Sequence, residues 1–147
     1  MSTTLKLFTT DTPTLSQDVD VAGDAWQTTC DKPQTFRLFE VPAPGVEAGT
    51  VSYRAKLKSE GLTGRAYLEM WCRFPGRGEF FSKGLANVVT GTNDWVSCEI
   101  PFLLKQGEQP DLIRLNLSVA AAGLIFKKAV AGKLWIKDIA LAFQPGP

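Results

Sequence analysis

With 147 residues, 44% of them hydrophobic and 21% charged, the chain has the size and make-up of one globular domain able to bury a core without disulfide or metal staples. A formal net charge of +1 supplies no field to gather nucleic acid or an anionic membrane, and no apolar run approaches the ~18 to 20 residues of a spanning helix. Histidine is absent, which removes serine-histidine and cysteine-histidine nucleophiles together.

The opening Met1-Ser2-Thr3-Thr4 lacks the basic-then-apolar order of a signal peptide, so a soluble cytoplasmic protein is expected, secreted only if an export segment has been trimmed. Alternation from Thr4 to Phe8 predicts a short strand, closed by a turn from Thr9 to Pro13. Ser16 to Val21 alternates again around Val19 and Val21, and the two pieces are expected to form a first hairpin or an edge pair. Gly23-Asp24 breaks the pattern before Trp26, and Asp31-Lys32-Pro33 makes a turn. From Gln34 to Val41 a strand is expected, with Phe36 and Leu38 on one parity and Arg37, Phe39 and Val41 on the other, ended by Pro42, Pro44 and Gly45.

Thr50 to Lys58 alternates most clearly, with Val51, Tyr53, Ala55 and Leu57 inward and Ser52, Arg54, Lys56 and Lys58 outward. That basic row reads as a solvated sheet face or guarded edge in preference to a phosphate contact. Glu60 to Gly64 is expected to turn the chain into Arg65 to Phe74, where period two sends Leu68, Met70, Cys72 and Phe74 to the core. Tyr67, Glu69, Trp71 and Arg73 fall on the opposite face. A ring flanked by a carboxylate and a guanidinium can stack on a flat apolar partner while the charges orient it.

Pro75 to Asp94 carries four glycines but also Phe80, Phe81 and Leu85, too apolar for a free linker, and is expected to be a packed crossover loop or a lid over Trp71. Gly76-Arg77-Gly78 is no phosphate loop, because Phe81 takes the third glycine position and no helical pattern follows. A strand starting at Trp95 puts Val96, Cys98 and Ile100 inward, Gln106 to Pro110 turns, and Asp111 to Ala120 sets Ile113, Leu115, Leu117 and Val119 against Arg114, Asn116 and Ser118. Asn116-Leu117-Ser118 matches a glycosylation sequon, read as chance without an export signal. Ala121 to Ala131 is expected to be strand or loop, Lys133 to Phe143 the closing strand, and Gln144 to Pro147 a tail. Cys30, Cys72 and Cys98 have no C-x-x-C spacing and read as small buried hydrophobes, since zinc would need all three plus a carboxylate.

Some eight short strands between proline- and glycine-rich turns predict a single all-β domain, a two-sheet antiparallel β-sandwich or jelly roll. The order of strands at Val51 to Leu57 and Ala66 to Phe74, then Asn93-Asp94-Trp95, Leu112 to Val119 and the ending Leu134-Trp135-Ile136-Lys137-Asp138-Ile139 resembles the galactose-binding-like jelly roll, common among carbohydrate-binding modules. The likeness covers Gln34 to Phe143 as a profile of strand types. It implies that Asp138 matches an aspartate often near a structural calcium, with Asp18 and Asp20 as possible partners. It further implies that Ala66 to Phe74 and Leu112 to Val119 share one sheet, so that Tyr67, Glu69, Trp71, Arg73, Arg114 and Asn116 form a common outward patch.

The expected function is a non-catalytic module binding a carbohydrate or similar polyol on that patch, with no required cofactor. An assembly domain is the alternative, in which Trp71 and Phe80 or Phe81 contact a protein partner or a second copy. A glycosidase is the least favoured reading, its candidate carboxylates being Glu69, Glu79 and Glu99.

Overall fold

Thr50 to Lys58 and Arg65 to Phe74, expected as two strands with a turn between them, are one. In the computed structural model, which describes residues 2–121 and 130–146, this strand runs unbroken from Gly49 to Phe74. The glycines that signalled a turn instead bend the strand: Gly61 and Gly64 take φ of +58° and +107°, conformations open to glycine, while the ladder continues through Ser59, Leu62 and Thr63. The chain thereby passes from one layer of the molecule to the other without leaving the sheet.

In chain order the strands are β1 (Thr3–Phe8), β2 (Asp20–Ala22), β3 (Ala25–Cys30), β4 (Gln34–Pro42), β5 (Gly49–Phe74), β6 (Gly78–Lys83), β7 (Val89–Leu104), β8 (Leu112–Ala120) and β9 (Ala131–Pro145). The first half of β5 lies between β7 and β9. On the far side of β9 are β1 and β3, with β2 beyond β3. The second half of β5 lies between β8 and β6, and β4 closes that layer beside β8. Every pairing is antiparallel, and the inward faces of both layers merge into one apolar cluster, giving the jelly-roll β-sandwich expected from the strand pattern. No helix long and apolar enough to cross a membrane occurs among the described residues.

Across the core, Phe39 of β4 stacks on Phe8 of β1 at 4.1 Å and meets Trp26 of β3 edge-on at 5.4 Å. Phe39 was expected on the Arg37 parity. A bulge between Arg37 and Phe39 inserts one residue, so Phe36, Leu38 and Phe39 are all buried while Arg37 and Glu40 stay outside. The hydroxyl of the buried Tyr53 donates to the Asn116 carbonyl at 3.3 Å, tying the two layers together.

Other expectations change with the pairing. Ser16 to Val21 is strand only at its end, where Asp20 and Val21 belong to β2 and pair with β3 and not with β1; ahead of them the Leu15 and Ser16 N–H groups donate to the Leu38 and Arg37 carbonyls, and Ser16 Oγ accepts from the Arg37 N–H, so Leu15 and Ser16 cap the open edge of β4. Trp26 sits in a strand of its own, β3. Pro75 to Asp94 is no lid, since β6 pairs beside β5 from Glu69 to Phe74 and so extends the sheet sideways, and β7 begins at Val89. Val96, expected inward, is more than a third exposed beside a register shift in the β5–β7 ladder, while Cys98 and Ile100 further along the same strand are buried as expected. The three cysteines are free and buried as expected. The expectation for Ala121 to Ala131 falls mostly on residues 122–129, which lie outside the described residues.

Candidate functional site

Register builds the outer face of the β4-β8-β5-β6 layer row by row. In one row Glu40, Arg114, Trp71 and Phe81 stand side by side on the four strands, and in the next stand Arg37, Asn116, Glu69 and Lys83. Thr35, Ser118 and Tyr67 make a third. Four strands about 4.8 Å apart put roughly 14 Å between Arg37 and Lys83, room for a chain of small rings.

Glu69 is the hub, only 6% exposed although it points out of the sandwich. One carboxylate oxygen accepts from Trp71 Nε1 at 2.8 Å and from Asn116 Nδ2 at 3.2 Å; the other accepts from Ser118 Oγ at 3.3 Å, with Lys83 Nζ at 3.8 Å. A buried carboxylate needs such partners to offset its lost hydration, and here they also set the plane of the Trp71 indole. That ring lies 5.1 Å from Phe81, tilted by 51°, and Lys83 Nζ sits 4.8 Å over the Phe81 ring. Arg114 is held between two carboxylates, Glu40 and Glu79, at 2.9 Å each, and Arg73 pairs with Asp111 at 2.9 Å on the rim. Its hydrogen bond to Asp111 pushes the Arg73 pKa still further up.

Between these side chains lies an open groove of about 280 Å³, walled by Thr35, Arg37, Glu69, Trp71, Glu79 and Arg114 with Asn116 at its base. Of the six residues expected to make a patch, Tyr67, Glu69, Trp71, Arg73, Arg114 and Asn116, all share this face. Trp71, Arg114, Glu69 and Asn116 border the groove, Arg73 stands on the rim, and Tyr67 is buried at 9% exposure. The sequence reading missed Thr35, Arg37 and Ser118. Alternation marks Arg37 as outward, but nothing in the chain says that β4 pairs with β8.

A larger concavity, about 850 Å³, opens at the end of the sandwich between Glu47, Thr50, Leu103, Gln106, Gln144 and Pro145. Its one carboxylate, Glu47, is already held by the Gly107 N–H and Gln109 Nε2, and no aromatic ring lines it. The groove at Trp71 is smaller but chemically richer.

The outward row of β5 on the other layer is a balanced solvated face: Arg54 pairs with Glu99 at 2.8 Å and Lys56 with Asp138 at 3.4 Å, while Lys58 and Lys137 lie over the Trp135 and Trp95 rings. Glu99 therefore does not join Glu69 and Glu79. Asp138 is a bulge residue with φ of +54°. A calcium shell takes six to eight oxygens, whereas Asp138 faces Lys56 and no group of three candidate ligand side chains occurs among the described residues, so the site does not fit that ion.

No family model matches the chain, and no curated protein matches it. Among solved structures the chain is similar to a CBM4 module, with a TM-score of 0.57 at 12% identity over 94% of this chain and 78% of the other. It is also similar to the CBM22-1 xylan-binding domain of Paenibacillus barcinonensis Xyn10C, with a TM-score of 0.55 at 13% identity over 100% and 95%. A family 16 carbohydrate-binding module follows at 0.51 and 10%, over 87% and 82%. At such identities the likeness is one of fold, the β-sandwich shared by these modules.

Proposed function

We propose that the chain is a non-catalytic binding module that holds a carbohydrate in the groove beside Trp71. The observation that carries this reading is an indole fixed by Glu69 next to a 280 Å³ groove whose walls alternate donors and acceptors. A sugar ring offers an apolar face to an aromatic ring and hydroxyls to carboxylate, amide and guanidinium groups. The shared fold with carbohydrate-binding modules supports it. Calorimetric titration of an oligosaccharide panel against the wild type and Trp71→Ala tests it. Binding weakened about tenfold or more by the substitution is expected; binding indifferent to Trp71 removes the site, and silence across the whole panel removes the function.

Catalysis is not part of this reading. Glu69 is committed to three donors and the Lys83 ammonium, and Glu79 to Arg114, leaving neither as a free acid or base for hydrolysis. Turnover of chromogenic glycosides that disappears in Glu69→Gln would contradict it. A second reading rests on Phe80 and Phe81, one on each face of β6, and on Leu85 just beyond the strand, which are 45%, 55% and 63% exposed. Exposed apolar side chains at a sheet edge suit a protein contact, and sedimentation decides it: a concentration-dependent dimer dispersed by Phe80→Ser with Phe81→Ser favours assembly, and a monomer at all concentrations removes self-association.

A further inference from the structure

Among the described residues, every charge bordering the groove is matched except one. Arg114 is shared by Glu40 and Glu79, Glu69 is held by three donors and the Lys83 ammonium, and Arg73 is paired with Asp111. Among the described residues, the Arg37 guanidinium makes neither an ion pair nor a hydrogen bond. Its backbone is anything but loose: the Arg37 N–H donates to Ser16 Oγ at 2.8 Å and the Arg37 carbonyl accepts from the Ser16 N–H at 2.8 Å. The bulge that follows at once turns Leu38 and Phe39 inward and leaves Arg37 on the outer face opposite Asn116. A fixed stretch of backbone thus presents an unmatched five-donor fork at the groove.

We propose that the groove takes an acidic sugar, a hexuronate within a glycan, with its carboxylate on Arg37. The inference rests on the carbohydrate reading above. A neutral sugar laid over Arg37 would strip water from a cation and return only hydroxyl contacts, whereas a carboxylate meets the guanidinium through two parallel N–H···O bonds. Trp71 then stacks on a ring further along the groove, and Asn116 and Thr35 stand beside the acid to receive or donate to its neighbouring hydroxyls. Charge selection comes from Arg37 and ring stacking from Trp71, so the two contributions separate by mutation.

Calorimetry with matched trisaccharides tests this: galacturonate or glucuronate oligomers, their neutral hexose counterparts, and sulfated forms of the same hexoses. The wild type is expected to bind a uronate trimer about ten- to a hundredfold more tightly than its neutral partner, and this ratio is expected to shrink as salt is raised. In Arg37→Met the ratio falls to near one, and in Arg37→Lys it is only partly restored, since an ammonium lacks the planar fork. A ratio near one in the wild type, a preference that survives Arg37→Met, or a preference for sulfate over carboxylate overturns the proposal. Those results leave the carbohydrate reading standing as long as Trp71→Ala weakens binding. If no sugar of any charge binds, both fall together.

Discussion

Tyr53 shows how single groups tie the layers to the site. Its hydroxyl, fully buried, donates to the carbonyl of Asn116, a residue at the base of the groove. Tyr53→Phe is expected to cost about 1 kcal/mol, read as a lower urea midpoint; an unchanged midpoint would show the bond to be idle. The buried thiols make a second test. Burial pushes Cys30 up to about 11 and Cys72 up to about 12, and it raises the Tyr53 pKa as well. These groups are held neutral in the folded chain but ionise more readily when it unfolds, so the unfolded state sheds protons first. Their contribution is complete below about pH 8.5 and is lost as pH climbs toward 11 and 12. The urea midpoint should fall between pH 8.5 and 10.5, and should fall less in Cys30→Ala with Cys72→Ala; equal slopes for the two chains would refute the assignment.

At the level of elements, β5 governs the architecture through two glycines that differ in what surrounds them. A Cβ at Gly64 would lie 2.7 Å from the Ala120 carbonyl oxygen and would need a φ of +107°. A Cβ at Gly61 meets nothing within 4 Å, and its φ of +58° is the left-handed region that other residues enter at a cost of roughly 1 to 2 kcal/mol. Gly61→Ala is therefore expected to be the milder change. Gly64→Ala should lose clearly more than Gly61→Ala, upwards of about 2 kcal/mol, because either the bend or the β8 contact must shift as well. Thermal midpoints rank the two, and the reverse order would mean that crowding at the bend is unimportant. The β4 bulge belongs to the same scale: strict alternation would turn Phe39 outward, and one inserted residue puts it on Phe8 instead.

For the whole molecule, a strand common to both layers links their stabilities. A single cooperative unfolding transition is expected, with fluorescence and far-ultraviolet dichroism coinciding, and two separated transitions would show the layers to be independent. An oligosaccharide held at a hundred times its Kd should add about 2.7 kcal/mol to the wild type and much less to Trp71→Ala, visible as a shift in Tm. Local alternation was enough to read the strand faces at Val51 to Leu57, Leu68 to Phe74 and Ile113 to Val119, and with them the sandwich class, because side-chain direction in a strand repeats every two residues. The outward placing of Glu69, Trp71, Arg114 and Asn116 came from the same rule. Which strands lie side by side is a different kind of information: pairings such as Glu40 with Arg114, Arg37 with Asn116 and Trp71 with Phe81 join residues far apart or of ambiguous spacing, and no local period encodes them. Long-range pairing of the folded chain alone put Arg37 at the groove, made Glu69 a hub and turned an expected crossover loop or lid into a sheet edge.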